Sequence, residues 1–248
     1  MRVLVAEADP ITAQVISRTL QARGAVVERA DTGGDALDLA RRYDFDIVVL
    51  DLRLPDMEGY DLIRRLRAAR VATPLLALSS ISSPQPRLKA FELGADEFMT
   101  KPFDNRELLA RVQAVVRRSK GLSQSCVRIG PLMLDLNDRV VTINDEVVKL
   151  GRKESLMLEL LALHRDKAVT KEAFLSHLYD GENDPQPKIV DVFICKLRKK
   201  LAQAGGNDLI ETVWGRGYML RDPSAALPRL FRPRATAQVQ ECIVAEAA

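Results

Sequence analysis

Through residues 1–118, short apolar runs alternate with longer stretches in which apolar positions recur every three to four residues. The runs Val3–Ala6, Val26–Arg29, Ile47–Leu50, Leu75–Leu78 and Glu97–Met99 predict five short strands. The periodic stretches Thr12–Arg23, Gly34–Tyr43, Asp61–Ala69, Pro86–Leu93 and Arg106–Arg118 predict helices, the fourth of them stopping at Gly94. Strands this short and this continuously apolar are covered on both faces, because an exposed face would alternate with polar residues. Five βα units in succession predict an α/β fold: a doubly wound parallel sheet with helices on both sides.

The pattern changes after residue 118. Residues 119–125 hold Gly121 and three serines with little apolar content, and predict a short flexible linker. Beyond it, Val127–Ile129, Leu132–Asp135, Val140–Ile143 and Glu146–Leu150 predict strands separated by Gly130-Pro131, Asn137-Asp138 and Asn144-Asp145. Three helical stretches follow, Lys153–His164, Lys171–Leu178 and Pro187–Ala204. A Gly-containing hairpin, Ile210–Val213 and Tyr218–Leu220, closes the ordered part. Strands, three helices and a hairpin describe a winged helix-turn-helix over residues 126–222. Residues 223–248 hold three prolines and no clear period, and are expected to be disordered.

Composition narrows the class. The chain has 248 residues, enough for two ordinary domains, with 47% hydrophobic and 29% charged residues. The net charge is +3. Residues 1–118 carry 18 of the 37 basic and 17 of the 34 acidic side chains, so neither half is a polybasic tail. Any nucleic-acid affinity must therefore come from local clustering. Cys126, Cys195 and Cys242 lie far apart, and His164 and His177 are the only histidines, so no zinc spacing exists. The sparse cysteines, the lack of a signal-peptide pattern and the lack of a membrane-length apolar run make a cytoplasmic protein the expectation.

The candidate chemistry sits at strand ends. In an open parallel sheet, ligands bind beyond the carboxyl ends of the strands. There the sequence puts Glu7 and Asp9, Asp51, Ser79, and Lys101. Together they make a phosphoryl-transfer site. Asp51 is the nucleophile that would form an acyl phosphate. A divalent cation would neutralise charge between carboxylates and phosphoryl oxygens, Lys101 supplies a fixed positive charge, and the Ser79 hydroxyl supplies a hydrogen bond. Each residue alone reads as a solvated loop residue; the set carries the argument. The Lys101-Pro102 peptide is predicted cis.

A basic helix face marks the second half. Val190, Ile194, Leu197 and Leu201 share one apolar face of Pro187–Ala204, and Lys188, Val192, Cys195, Lys196 and Lys199 lie on the opposite arc, flanked by Arg198 and Lys200. Residues 188–200 hold five basic side chains and one acid, Asp191. Such a face fits the DNA major groove, with lysines on phosphates or base edges and Val192 on thymine methyls. Arg216, at the tip of Trp214-Gly215-Arg216-Gly217, is placed to enter a minor groove. Trp214 either contacts the DNA backbone from the wing or packs beneath it. Cys195 reads as a small residue permitting close approach, or as a redox-sensitive thiol.

The motifs resemble a known family. Asp51-Leu52-Arg53-Leu54-Pro55-Asp56-Met57-Glu58-Gly59, Gly94-Ala95-Asp96-Glu97-Phe98 and Thr100-Lys101-Pro102-Phe103 resemble the flavodoxin-like receiver domain of the OmpR/PhoB class of response regulators. Val190 to Leu201 and Glu211 to Tyr218 resemble its winged-helix effector domain, and Phe193, Cys195 and Trp214 depart from the broad class as its alphaproteobacterial cell-cycle members do. The resemblance implies phosphorylation of Asp51 by a histidine kinase or phosphotransfer protein. It implies Mg²⁺ held by Glu7, Asp9, Asp51 and the Arg53 backbone carbonyl, and an aromatic switch at Phe98, a residue that also reads as ordinary core. It further implies paired AT-rich half-sites on double-stranded DNA, RNA polymerase at the promoters, and a homodimer. The dimer face would be the mixed-charge set Arg87, Lys89, Glu92, Asp96, Glu97, Glu107, Arg111 and Arg118, which otherwise reads as a solvated surface.

Two positions depart. The class has an acidic cluster after the first strand whose middle acid contacts the metal; here the middle residue is Ala8. Weakened Mg²⁺ binding is expected. In the tail, Leu230–Arg234 is basic, and Ala247-Ala248 resembles a small apolar end read by an ATP-dependent protease, or is an uninformative terminus. The leading reading is a phosphorylation-controlled transcription regulator and not an enzyme, since the site modifies only itself. The others are a constitutive DNA-binding paralogue with a metal-impaired receiver, and a receiver acting mainly in protein interaction.

Overall fold

A computed structural model describes residues 1–136, 138–165, 167–179 and 186–222. The parallel sheet comprises β1 (Arg2–Ala6), β2 (Val26–Ala30), β3 (Ile47–Asp51), β4 (Leu75–Ser79) and β5 (Glu97–Thr100), in the order β2-β1-β3-β4-β5. Its helices are α1 (Pro10–Ala22), α2 (Gly33–Arg42), α3 (Gly59–Ala68), α4 (Pro84–Glu92) and α5 (Asn105–Ser119). Side chains alternate across the strands, so each face of the sheet has its own core. Val3, Val5, Ile47, Val49, Leu76 and Leu78 pack on α1 and α5 through Ile16, Leu20, Leu108 and Val112. Leu4, Ala6, Val48, Leu50, Leu75 and Ala77 pack on α2, α3 and α4 through Ala36, Leu62, Ile63, Leu66 and Ala90.

Several helices begin one or two residues earlier than periodicity predicts. The reason is local chemistry. Asp9 caps α1 by accepting from Thr12 N at 2.9 Å, and Pro10 takes the first helical position, where no N–H is needed. Thr32 caps α2 and Asp104 caps α5 in the same way.

The C-terminal unit begins with an antiparallel sheet of β6 (Cys126–Ile129), β7 (Leu132–Asp135), β8 (Val141–Ile143) and β9 (Glu146–Val147). The last strand is shorter than the expected Glu146–Leu150: pairing with β8 covers only Glu146 and Val147. Then come α6 (Arg152–Leu163), α7 (Lys171–Leu178), α8 (Lys188–Gln203) and the hairpin of β10 (Ile210–Val213) and β11 (Gly217–Leu220). Val169, just before α7, pairs with Tyr218 and fastens the hairpin to the helices. Gly217 allows this, since a Cβ there would lie 2.0 Å from Val169 O and φ is +129°. This is a winged helix-turn-helix. In 119–125, Ser119 is helical and Leu122 packs against the C-terminal core. The expected disorder of 223–248, with Leu230–Arg234, Ala247 and Ala248, lies outside the described residues.

Candidate functional site

The strand order reverses at β1, which lies between β2 and β3, and the crevice beyond the carboxyl ends of β1 and β3 is where such sheets bind ligands. The structure brings Glu7, Asp51 and Lys101 together there. Asp51 ends β3, Glu7 follows β1, and both are buried, at 5% and 2% exposure. Lys101 follows β5 across a cis Lys101-Pro102 peptide. Its Nζ donates to Glu7 Oε2 and to Asp51 Oδ2, each at 2.5 Å. The second Asp51 oxygen accepts from Arg53 N at 2.9 Å. Gly59 closes the floor, since a Cβ there would lie 2.6 Å from Asp51 O.

Ser79 ends β4, buried, and its Oγ accepts from Ile81 N at 3.1 Å, which leaves the hydroxyl proton free to donate. Phe98 lies in the core between the sheet and α2–α4, its ring inward. Burial raises the Glu7 carboxyl above its ordinary value, although the hydrogen bond from Lys101 opposes this. Burial pulls Lys101 down, but the hydrogen bonds and charges of Asp51 and Glu7 outweigh it, and the ammonium is held on.

Asp9 does not join this group. Its carboxylate is spent on Thr12, accepting from the backbone N and from the hydroxyl, and that hydrogen bond lowers its pKa. Ala8 offers no donor. Among the described residues, no group of three or more His, Cys, Asp and Glu side chains stands where it could hold a metal ion. Mg²⁺ requires near-octahedral oxygen coordination at short distances. Two carboxylates already bridged by an ammonium, with the Arg53 carbonyl, do not fit a dedicated high-affinity site for it.

The second set lies on α8 and the wing. Lys188, Val192, Cys195, Lys196 and Lys199 are exposed along one arc, while Val190, Ile194, Leu197 and Leu201 are buried on the other. Arg198 and Lys200 lie elsewhere. Arg198 donates to Ile210 O at 2.8 and 3.1 Å and to Thr212 Oγ1 at 2.8 Å, which ties α8 to the wing. Lys200 pairs with the buried Glu154 at 2.6 Å. Trp214 stands outward at 78% exposure, and Arg216 is exposed beside it. The only acid on this helix face, Asp191, is neutralised within the fold. It pairs with Lys171 at 2.7 Å and accepts from the Tyr218 hydroxyl at 2.6 Å. Burial and that hydrogen bond push the Tyr218 phenol up to about 12, so it remains a donor. Nothing in the local sequence pattern links Lys171, Asp191 and Tyr218, which come from three elements.

On the α4–β5–α5 side the charges divide. Arg87, Lys89 and Glu92 are exposed, with the apolar Leu88 and Phe91 beside them at 58% and 41% exposure, two residues the sequence pattern did not single out. Lys89 Nζ lies 4.1 Å from the Tyr60 ring centroid. Asp96 pairs with Arg67 at 2.9 Å and accepts from Leu75 N, and Glu97 and Glu107 pair with Arg111 at 3.0 and 2.7 Å. Arg118 reaches Glu97 at 3.5 Å. These pairs close within one chain.

Comparison with known proteins finds a match for each half of the chain. A family model described as the response regulator receiver domain matches residues 3–113, and one described as transcriptional regulatory protein, C terminal, matches residues 145–220. The cell cycle transcriptional regulator CtrA of Caulobacter vibrioides is 51% identical over 225 residues, covering 90% of this chain and 97% of that protein. The cell cycle response regulator CtrA of Brucella anthropi is 48% identical over 228 residues, covering 92% of this chain and 98% of that protein. Among solved structures, response regulator DrrB of Thermotoga maritima, an OmpR/PhoB homologue, is 32% identical, covers 89% of this chain and 98% of that chain, and superposes with a TM-score of 0.44.

Proposed function

The chain belongs to the CtrA family of transcriptional response regulators, and from that premise we propose that phosphorylation of Asp51 controls its dimerisation and its sequence-specific binding to DNA, at genes of the cell-cycle type. The proposed division is a receiver at 1–118, a linker at 119–125 and a winged-helix domain at 126–222. The observation that carries the reading is the Lys101 bridge between Asp51 and Glu7 at the sheet's switch point, in a chain that also presents the exposed basic arc of α8.

The donor is a phosphohistidine on a histidine kinase or phosphotransfer protein. An Asp51 oxygen attacks the phosphorus; the P–O bond forms, the P–N bond breaks, and the released imidazole nitrogen takes up a proton. Lys101 turns from the carboxylate to a phosphoryl oxygen, and the Ser79 hydroxyl donates to another. One phosphoryl group is taken per cycle on the chain's own residue, so no substrate is turned over. On DNA, Lys188, Lys196 and Lys199 meet phosphates or base edges, Val192 meets thymine methyls, and Trp214 and Arg216 approach from the wing. Arg198 and Lys200 hold α8 in place instead of reading DNA. Paired AT-rich half-sites would take two protomers, joined by the exposed part of the α4 face, and RNA polymerase is the partner at the promoter. No helix among the described residues is long and apolar enough to cross a membrane, which supports a cytoplasmic site of action.

Intact-mass measurement with acetyl phosphate, paired with a DNA-binding titration, tests the reading. An adduct of one phosphoryl group on the wild type, absent from Asp51→Asn, together with tighter DNA binding, is the expected result. No adduct and undiminished DNA binding would instead make the chain a constitutive DNA-binding protein. Ala8→Asp restores the missing oxygen ligand and is expected to tighten Mg²⁺ binding by about tenfold or more; equal affinities would show that Ala8 does not limit the metal.

A further inference from the structure

The two folded units meet at the pole of the parallel sheet opposite Asp51. The receiver contributes the start of β1, the turn before β3 and the ends of α1 and α5. The C-terminal unit contributes α6, α7 and the turn between β7 and β8. The chain's only two histidines, His164 and His177, both lie in this seam. The Met1 α-nitrogen stands 3.0 Å from His177 Nδ1 and 2.9 Å from Nε2, with the imidazole buried. At that distance a positive charge on the amine and another on the imidazole would repel strongly.

His164 is arranged similarly. Its Nδ1 is 2.9 Å from Leu160 O, an acceptor, so Nδ1 carries the hydrogen and Nε2 keeps its lone pair. That lone pair faces Lys120 Nζ at 3.5 Å. Lys120 in turn pairs with Asp46 across the seam's edge at 3.4 Å, and Asp46 also accepts from Arg2 N at 2.8 Å. Arg139 pairs with Glu159 at 2.8 Å, and Arg152 donates to Gln21 O at 3.1 Å. Leu156, against Gly24 of the receiver, and Leu136 and Leu163 are buried.

We propose that this pole of the receiver is a docking surface for the DNA-binding domain of the same chain, a clasp that holds while His164 and His177 are neutral and opens when they take up protons. The charged groups facing the two imidazoles are the Met1 amine, Lys120, Arg139, Lys167, Asp46 and Glu159. They stand as four cations against two anions, and two imidazolium ions would make six against two. Burial depresses His177 well below its ordinary value, and depresses His164 and the Met1 amine as well. Burial would raise Asp46, but the Met1 ammonium, Lys120 and the hydrogen bond from Arg2 N hold it low.

The signs agree. Three bases with depressed values mean that the docked form binds fewer protons than the released form. Docking is therefore complete above the ordinary amine value near 8, begins to weaken as pH falls below it, and weakens further below about 6.5, through the imidazole range. Asp46 keeps its contribution across that window, because its low value is reached only in stronger acid. The exposed arc of α8 lies outside the seam, so the clasp fixes the orientation of the reading helix without covering it.

Backbone ¹⁵N relaxation of the full chain, with small-angle scattering, tests this. Wild type is expected to show one shared tumbling time for both domains at about pH 8, and two shorter times with a larger radius of gyration at about pH 5.5. His164→Gln with His177→Gln should tumble as one body at both pH values, and Lys120→Gln, which removes a cation facing His164, should open at a lower pH than wild type. Tumbling that does not change with pH in the wild type would overturn the proposal, as would a double variant that titrates like it. If the double variant fails to fold, His164→Gln alone must lower the midpoint of opening, and an unchanged midpoint overturns it.

Discussion

In the proposed phosphoryl-transfer site, Lys101 is the residue on which the chemistry would turn. It neutralises two buried carboxylates that would otherwise repel each other in a poorly solvated crevice. Lys101→Met should leave Glu7 protonated, because its pKa is already raised by burial. A carboxyl raised in the folded state gives stability below its unfolded value that is lost as pH rises through the folded one. The variant is thus expected to be destabilised more at pH 8 than at pH 5, by roughly 2 kcal/mol relative to wild type, in denaturant titrations at the two pH values. A pH-independent loss would show that the lysine acts only by packing. The same residue explains how the site stands assembled without a third carboxylate at Ala8: the ammonium sits where cationic charge is needed, and phosphoryl transfer must draw it away from Glu7.

At the scale of elements, α8 and the wing form one reading unit because polar contacts lock them together. Arg198 joins α8 to β10, Tyr218 joins β11 to Asp191, and Val169 joins β11 to the segment before α7. Two charge-removing changes separate reading from scaffolding. Lys199→Ala should weaken DNA binding and reduce the slope of log affinity against log salt by about 1, with an unchanged melting temperature. Arg198→Ala should also weaken binding, but with a loss of about 1–2 kcal/mol in stability, because it removes hydrogen bonds from a charged group to Ile210 and Thr212. If Arg198→Ala lowers affinity and leaves the melt unmoved, Arg198 belongs on the DNA after all. Gly217→Ala places a methyl group 2.0 Å from Val169 O, at a backbone angle that side chains avoid. It should cost about 3 kcal/mol or more and release the wing, read as loss of amide-exchange protection across β10 and β11.

Over the whole molecule, four surfaces divide the proposed work. The crevice at Asp51 is the proposed site of the chemistry, the exposed arc of α8 the proposed reading surface, and the pole around Met1 and His177 the proposed clasp. The fourth surface is on α4, where Leu88 and Phe91 stand exposed among Arg87, Lys89 and Glu92. Apolar side chains flanked by both signs of charge suit a two-fold contact. Leu88→Asp with Phe91→Asp should keep phosphorylated protein monomeric in sedimentation while the Asp51 adduct still forms. Dimerisation at wild-type strength would remove α4 from the interface.

The sequence by itself determined the architecture. Three buried apolar runs, two further short strands, the turn residues between them and one amphipathic basic helix were enough to predict a doubly wound sheet and a winged helix, because burial on two faces, burial on one face, and helical periodicity each leave a local signature. It also placed Asp51, Ser79 and Lys101 at strand ends, since strand ends are where a parallel sheet puts its chemistry. Element ends were less legible, because caps such as Asp9 shift them. What only the tertiary structure decided is which charges are free. Asp9, Arg198, Lys200, Asp96 and Asp191 look as available in the sequence as Lys196 or Arg87, yet each is taken up by a partner close in space. Several of those partners are distant in sequence, as are Met1 and His177, 176 residues apart and in contact. Ion pairs and hydrogen bonds depend on separations of about 3 Å, and no pattern along the chain encodes those until the chain has folded.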